Sequence, residues 1–200
     1  MQTKMSKIKI CGIKNTDEAR KVASLEINYI GVIFAKSIRQ VDLKTANEIA
    51  KIAHENGKKV VGVFAKCDNV LEYMENLDVA QIYDTIPAEL YKSLNSSKKE
   101  VWQVFSVFNE LPNLAISEYD MALFDCKGES LGGNGISFEW EILKSLEPFS
   151  YGLAGGLGVH NVELAASYKP KVLDINSRVE NANGIKDESL IKEIIKKVKK

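Results

Sequence analysis

Short runs of apolar and β-branched residues alternate along the whole chain with segments in which apolar residues recur at helical spacing. The short runs predict eight strands, at about residues 7–11, 28–34, 59–64, 78–82, 101–107, 120–125, 150–154 and 171–175. Amphipathic segments with capping residues predict helices at 15–26, 43–55 and 187–198, and shorter helical segments are predicted at 69–76, 87–95, 113–117, 138–146 and 160–168. This alternation is typical of parallel βα units rather than of hairpins.

Eight strands, each followed by a helix, predict an α/β fold in which a single (β/α)₈ TIM barrel closes on itself. The 200 residues, 45% of them apolar, suffice for one sizeable core and lie below the size at which chains usually divide. We therefore expect one catalytic domain over residues 1–200. An open, doubly wound sheet is the alternative. Such a sheet more often carries a GxGxxG segment after its first strand, and here only Gly12 follows Cys11.

Polar residues at the ends of the predicted strands indicate where chemistry would take place. The active site of a barrel is built at the carboxyl ends of its strands, and side chains along a strand alternate between the interior and the helices. This alternation directs Cys11 into the mouth of the barrel, with Lys9 one layer beneath it. It also directs Asp125 and Asp174 inward, and the fourth strand offers Gln81.

Cys11 and Asp125 each have two interpretations. A free cysteine is most often a small buried hydrophobe, which is what we expect of Cys67 and Cys126. At a strand end opposite an inward carboxylate, however, a thiol is a plausible base, because its pKa is within reach of neutrality. Asp125 could cap the segment that follows it, but an inward carboxylate at the end of an apolar strand is costly unless it is paired or used. We therefore interpret the two as an acid–base pair.

Lys9 places an ammonium group inside the predicted barrel. A buried charge of this kind is costly unless an opposite charge accompanies it. Asp174 or Asp125 could supply the carboxylate. We expect such a pair to hold the charge of the site in place.

Two loops at the same end of the predicted barrel have the composition of a phosphate site. Gly155 and Gly156 follow the seventh strand, and Asn176, Ser177 and Arg178 follow the eighth. Glycines let backbone N–H groups approach an anion, and these two loops commonly form the phosphate site of a barrel. The pairing of the two loops therefore indicates a phosphorylated ligand.

Composition excludes several classes of function. Lys plus Arg number 27 and Asp plus Glu also 27, so no basic excess predicts binding to nucleic acid or to an anionic membrane. Three cysteines and two histidines without a CxxC pair predict neither a disulfide framework nor a zinc site. No signal peptide or membrane span is evident, and we expect a cytoplasmic protein.

Six blocks of sequence are similar to one known family, in the family's own order. They are Lys9-Ile10-Cys11-Gly12-Ile13; Gly31-Val32-Ile33-Phe34 with Lys36-Ser37-Ile38-Arg39; Val61-Gly62-Val63-Phe64; Asp125 with Gly132-Gly133-Asn134-Gly135 and Phe138-Glu139-Trp140; Leu153-Ala154-Gly155-Gly156-Leu157; and Asp174-Ile175-Asn176-Ser177-Arg178-Val179-Glu180 leading into Gly184-Ile185-Lys186-Asp187. Through them the chain resembles the phosphoribosylanthranilate isomerase family of tryptophan biosynthesis over nearly its whole length.

The resemblance implies an Amadori rearrangement, in which the aminoaldose N-(5-phosphoribosyl)anthranilate becomes an aminoketose. It implies that Asp125 protonates the ring oxygen as general acid and that Cys11, as thiolate, removes the C2′ proton. Arg39 would contact the anthranilate carboxylate, and Asp174 would orient ligand groups. The phosphate would be held by Gly155, Gly156, Asn176, Ser177 and Arg178. The resemblance implies no cofactor or metal. It implies a small-molecule phosphosugar as the partner, and leaves open a monomer or a homodimer.

The chain departs from the family pattern at four positions and leaves three alternative functions open. Tyr83 and Asp84 stand where a histidine and a glycine are frequent, Asn134 replaces a usual Ser or Thr, and Arg178 replaces a small residue. The first alternative is another phosphosugar isomerase or a lyase on the same barrel, such as the histidine-pathway aminoaldose isomerase. That family resembles a two-aspartate enzyme, so Cys11 in the first position is evidence against it. The others are a non-catalytic phosphosugar-binding protein and a thiol redox sensor built on Cys11.

Overall fold

The structure of the protein, a computed structural model, describes residues 5–107, 110–126 and 140–199. Eight parallel strands pair in sequence order, and the eighth pairs with the first, so the sheet closes into a barrel. The strands are β1 (Lys7–Cys11), β2 (Tyr29–Ile33), β3 (Lys59–Phe64), β4 (Val79–Ile82), β5 (Glu100–Val107), β6 (Met121–Cys126), β7 (Gly152–Ala154) and β8 (Val172–Ile175). The predicted (β/α)₈ barrel is confirmed, with every strand close to its predicted position.

Helices cover the outside of the barrel. They are α1 (Thr16–Ala23), α2 (Leu43–Glu55), α3 (Val70–Tyr73), α4 (Ala88–Ser96), α5 (Val162–Ser167) and α6 (Glu188–Val198), with 3₁₀ helices at Trp140–Ser145 and Ser177–Val179. The segment predicted as a helix over 138–146 is thus a 3₁₀ helix where the structure describes it. Residues 127–139, which include the glycine-rich block with Asn134, lie outside the described residues.

The helix predicted at 113–117 is wrong, because this segment forms a turn. The side chain of Asn113 accepts a hydrogen bond from the backbone N–H of Ala115 at 3.0 Å. Asparagine favours such local turns over the helix interior, and Pro112 just before it restricts the chain further. The Tyr119 hydroxyl donates to the carbonyl of Leu114 at 2.8 Å and holds the turn against the strand that follows.

The best-formed helices begin at side-chain caps that the sequence supplies. Asp42 accepts a hydrogen bond from the N–H of Thr45, and Asn15 accepts one from the N–H of Glu18. Asp187 caps α6 in the same way. These caps satisfy N–H groups that would otherwise lack partners in the first turn. Because each cap follows the carboxyl end of a strand, the caps also fix the loops that surround the mouth of the barrel.

The interior of the barrel consists of layers of inward side chains, as the strand alternation predicts. The apolar layer farthest from the mouth contains Tyr29, Val61, Val79, Trp102, Met121 and Val172. Lys9 and Gln81 lie buried above it, and Cys11 packs with Ile33 and Val63 nearer the mouth. The alternate residues of the strands pack outward against the helices. Because these layers are closely packed, they support the polar side chains at the mouth of the barrel.

None of the helices within the described ranges is long and apolar enough to cross a membrane.

Candidate active site

A cavity of about 210 Å³ opens at the carboxyl ends of the strands. Most of the side chains and loops that the sequence singled out line this one cavity: Cys11, Gln81, Asp125, Gly155, Gly156, Asp174, Asn176, Ser177 and Arg178. Tyr83 lines it as well. The cavity therefore joins a thiol, two carboxylates and the two glycine- and serine-bearing loops.

Cys11 ends β1 and is 4% exposed. The neighbouring strand makes room for it, because a Cβ added to Gly31 would lie 2.8 Å from Sγ of Cys11 and 3.0 Å from Cε of Lys9. Burial raises the pKa of the Cys11 thiol above its usual value, and the ammonium group of Lys9 opposes part of that rise. Burial therefore opposes formation of the thiolate, and the ammonium group of Lys9 favours it.

Lys9 is fully buried beneath Cys11 and is held by two partners. Its Nζ donates to Oδ2 of Asp174 at 2.8 Å and to Oε1 of Gln81 at 2.9 Å. Burial alone would lower the pKa of Lys9, but the Asp174 carboxylate and the Cys11 side chain more than offset it, so the pKa lies above its usual value. The predicted carboxylate partner is confirmed, and it is Asp174.

The second oxygen of Asp174 has a different environment. Oδ1 is buried and has no hydrogen-bond partner among the described residues. A buried acceptor without a partner is costly. Because Asp174 lines the cavity, its carboxylate can accept a hydrogen bond from a ligand hydroxyl there.

Substituting Lys9 with methionine is expected to lower the free energy of unfolding by about 3–5 kcal/mol, because it leaves the Asp174 carboxylate buried without its cation. Urea unfolding at neutral pH measures this change. Lys144→Met is the matched control: Lys144 pairs with Glu141 at 2.6 Å, but both side chains are 64% exposed. We expect that control to leave the free energy of unfolding nearly unchanged, because an exposed ion pair contributes little to stability. Equal effects of the two substitutions would contradict the importance of the buried pair.

Asp125 lies near the carboxyl end of β6 and is partly buried. The hydroxyl of Tyr83 donates to its Oδ2 at 2.8 Å. Tyr83 immediately follows β4 and is 36% exposed over the whole residue, but the partial burial of its hydroxyl and the Asp125 carboxylate raise the pKa of Tyr83 above its usual value. In the sequence, Tyr83 is distinguished only as a departure from the family pattern. The alternation of β4 could have found it, since 79, 81 and 83 share one face.

The two loops predicted to hold phosphate flank the cavity on one side. Gly155 has a φ of +93° and Gly156 a φ of +64°, both in the left-handed region that favours glycine. A Cβ added to Gly156 would meet nothing within 4 Å, so the backbone there faces open space. The exposed side chains of Ser177 and Arg178 come from the loop after β8. Left-handed glycines, a hydroxyl group and a guanidinium group thus border the cavity, a composition that suits an anion.

Arg39 binds another residue of the protein and does not line the cavity. Its Nε and Nη2 donate to the two carboxylate oxygens of Glu180 at 2.7 and 2.6 Å. Lys186, whose side chain is fully buried, donates to Glu180 at 2.7 Å and to Oδ1 of Asn176 at 3.0 Å. Burial alone would raise the pKa of Glu180, but Arg39 and Lys186 lower it to about 2. This network connects the loop after β2 to the loop after β8.

Glu180 and Lys186 were missed as site-supporting residues by sequence reasoning, although both lie within the family-like blocks. The predicted contact of Arg39 with a ligand carboxylate stays a prediction. Two of the five guanidinium N–H groups of Arg39 donate to Glu180. Among the residues that the structure describes, no three His, Cys, Asp or Glu side chains cluster so as to hold a metal ion.

Comparison with protein families gives one consistent result. The family model described as N-(5′-phosphoribosyl)anthranilate isomerase matches residues 8–197. The N-(5′-phosphoribosyl)anthranilate isomerase of Campylobacter jejuni is 44% identical over 200 residues, which cover 98% of this chain and 100% of the relative.

Solved structures give the same result. Monomers generated from the dimeric phosphoribosylanthranilate isomerase of Thermotoga maritima superpose with a TM-score of 0.78 at 29% identity, covering 98% of this chain and 99% of that one. A phosphoribosylanthranilate isomerase in complex with reduced 1-(o-carboxyphenylamino)-1-deoxyribulose 5-phosphate superposes with a TM-score of 0.76 at 26% identity, with coverage of 98% and 99%. The match therefore spans the whole barrel and not a local motif.

Proposed function

The chain belongs to the N-(5′-phosphoribosyl)anthranilate isomerase family, and on that premise we propose that Cys11 and Asp125 are the base and the acid of its reaction. The enzyme converts the aminoaldose N-(5-phosphoribosyl)anthranilate to the aminoketose 1-(2-carboxyphenylamino)-1-deoxyribulose 5-phosphate. The observation that supports the two roles is that a thiol and a carboxyl group at the ends of β1 and β6 line one cavity beside two anion-suited loops.

Asp125 carries out the first step, which opens the ribose ring. Its carboxyl proton goes to the ring oxygen as the bond between that oxygen and C1′ breaks. The lone pair of the anthranilate nitrogen forms a double bond to C1′, so the product is a protonated Schiff base and a new hydroxyl group. A positioned general acid of this kind contributes about 10²–10⁴-fold to a rate.

Cys11 carries out the second step, which moves hydrogen from C2′. The thiolate takes the C2′ proton, and the electrons of the C–H bond form a C1′–C2′ double bond while the cationic nitrogen becomes neutral. The resulting enolamine tautomerises to the ketone by protonation at C1′ and loss of the 2′-hydroxyl proton. Lys9 beneath Cys11 lowers the cost of the thiolate, against the burial that raises it.

The remaining roles are for binding. Gly155, Gly156, Asn176, Ser177 and Arg178 would hold the phosphate, and each lines the cavity. Asp174, which lines the cavity, would accept a hydrogen bond from a ribose hydroxyl. Arg39, held by Glu180 at the side of the β8 loop, would contact the anthranilate carboxylate.

We propose that residues 1–200 form one catalytic domain and that the enzyme works in the cytoplasm, where a phosphorylated intermediate is retained. The proposed chemistry is compatible with a monomer or a homodimer. No partner other than the small-molecule phosphosugar is required.

Purified protein is expected to consume freshly prepared phosphoribosylanthranilate without added cofactor, which is seen as loss of the substrate's fluorescence. Chelators should leave the rate unchanged, because the proposed steps use only side chains. Heat-denatured protein in the same buffer gives the rate of spontaneous breakdown. A rate equal to that background would contradict the function. Preference for the histidine-pathway aminoaldose would instead favour the alternative isomerase.

A further inference from the structure

Tyr83 connects the end of β4 to the acid of the site across the mouth of the barrel. Its hydroxyl donates to Oδ2 of Asp125 at 2.8 Å, although the two residues are 42 positions apart and β5 lies between their strands. Ser106 of β5 pairs in register with Asp125, so the hydrogen bond spans β5 near its carboxyl end. The contact lies at the cavity wall, and both side chains line the cavity.

We propose that Tyr83 is a positioning residue for ring opening: its hydroxyl holds Oδ2 of Asp125, so that the other carboxyl oxygen carries the proton to the substrate. This inference rests on the proposed role of Asp125 as the acid. The inference adds a second group to the acid: the Tyr83 hydroxyl, which follows β4, sets the orientation of the Asp125 carboxyl group and its acidity.

The hydrogen bond favours proton release once Asp125 is protonated. A neutral carboxyl group accepts a hydrogen bond weakly, whereas a carboxylate accepts a charge-assisted bond that is roughly twice as strong. The bond from Tyr83 therefore strengthens while the proton moves from Asp125 to the ring oxygen. An interaction that is stronger in the transition state than in the ground state accelerates the step.

The Tyr83 hydroxyl keeps its donor proton over the pH range in which Asp125 titrates. Burial and the Asp125 carboxylate raise the pKa of the Tyr83 hydroxyl, so the phenol stays neutral and remains a donor. The titratable groups that face it are Asp125 from β6, Asp174 from β8 and Cys11 from β1, and all three oppose a phenolate. Asp174 and Cys11 are in turn coupled to the ammonium of Lys9.

Tyr83→Phe is expected to move the lower apparent pKa of the kcat/KM profile to a higher pH. We assign that pKa to the proposed acid, because a carboxyl group ordinarily titrates below a thiol and burial raises the pKa of the Cys11 thiol further. Loss of a hydrogen bond to the carboxylate raises the pKa of the carboxyl group. Measured below that pKa, where Asp125 is protonated in both enzymes, kcat should fall about tenfold. At pH values nearer neutral, the difference in kcat between Tyr83→Phe and the wild type should be smaller. The reason is that the raised pKa of Asp125 keeps a larger fraction of the variant protonated than of the wild type.

Two controls separate positioning from packing. Tyr91→Phe removes a similar tyrosine–aspartate bond, to Asp120 at 3.0 Å, outside the cavity, and should leave both kcat and the pH profile unchanged. In the Asp125→Asn background, Tyr83→Phe should cause less than about a twofold further loss, since the two residues act as one unit.

A packing role for Tyr83 would lower activity by the same factor at every pH and would add to the effect of Asp125→Asn, and either result would overturn the inference. If Tyr83→Phe matches the wild type while Asp125→Asn is impaired, the inference fails and the proposed acid stands. If the wild type itself does not turn the substrate over, the proposed function fails.

Discussion

Replacing Asp125 with asparagine is expected to lower kcat/KM for phosphoribosylanthranilate by about 10²–10⁴-fold. The amide has nearly the shape of the carboxyl group, but it has no acidic proton to give to the ring oxygen. Ring opening would then depend on water or on the slow spontaneous reaction. The Tyr83 hydroxyl can still donate to the amide oxygen, so the local structure should persist. The rate is followed by the decay of substrate fluorescence.

Asp120→Asn is the matched control for this substitution. Asp120 precedes β6, and its Oδ2 accepts a hydrogen bond from the N–H of Val101 at 2.7 Å, away from the cavity. We expect the control to reduce stability and to leave kcat/KM within about twofold of the wild type. A folded Asp125→Asn enzyme with wild-type activity would remove Asp125 from the chemistry.

Replacing Cys11 with serine is expected to cause a loss of similar size, about 10²–10⁴-fold. Oxygen replaces sulfur at nearly the same position, but a hydroxyl group has a much higher pKa than a thiol. Burial, which already raises the pKa of the Cys11 thiol, would make an alkoxide more costly still. The C2′ proton would then lack a base. Because the side chain remains small, the packing against Ile33 and Val63 should be kept.

Cys67→Ser is the control, since Cys67 is a partly buried thiol in the segment after β3 and does not line the cavity. It should leave the rate unchanged. A Cys11→Ser enzyme that turns over at the wild-type rate would exclude the thiol as base. The redox-sensor hypothesis makes a different prediction, namely that oxidation of Cys11 changes the protein while substrate turnover is absent in every variant.

Much of the barrel could be predicted from the sequence because each strand carries its own signal. In β1, Ile8 and Ile10 alternate with Lys9 and Cys11. The isoleucines are buried against the helices, and Lys9 and Cys11 are buried in the interior of the barrel. The same alternation identified Asp125 as an inward residue. Such patterns are local, so they need no knowledge of which elements meet in space.

Contacts between distant segments could not be predicted in the same way. Arg39 and Glu180 are 141 positions apart, and nothing near either residue indicates that they form a bidentate pair. The bond from Tyr83 to Asp125 likewise depends on how far a tyrosine ring reaches over the intervening strand. The error at 113–117 has a different origin: over five residues, the turn preference of Asn113 outweighed the apolar spacing.

Comparison of the wild type with Asp125→Asn, Cys11→Ser and the double variant tests most directly whether the two residues act in successive steps. We expect kcat/KM of the double variant to lie within a few-fold of the slower single variant, because the slower of two sequential steps limits the rate. The measurement is the same fluorescence decay, on folded protein at one pH. If the fold-losses in kcat/KM of the two single variants multiply in the double variant, the two residues do not act in separate steps. If the single variants are as active as the wild type, the two residues are not the acid–base pair.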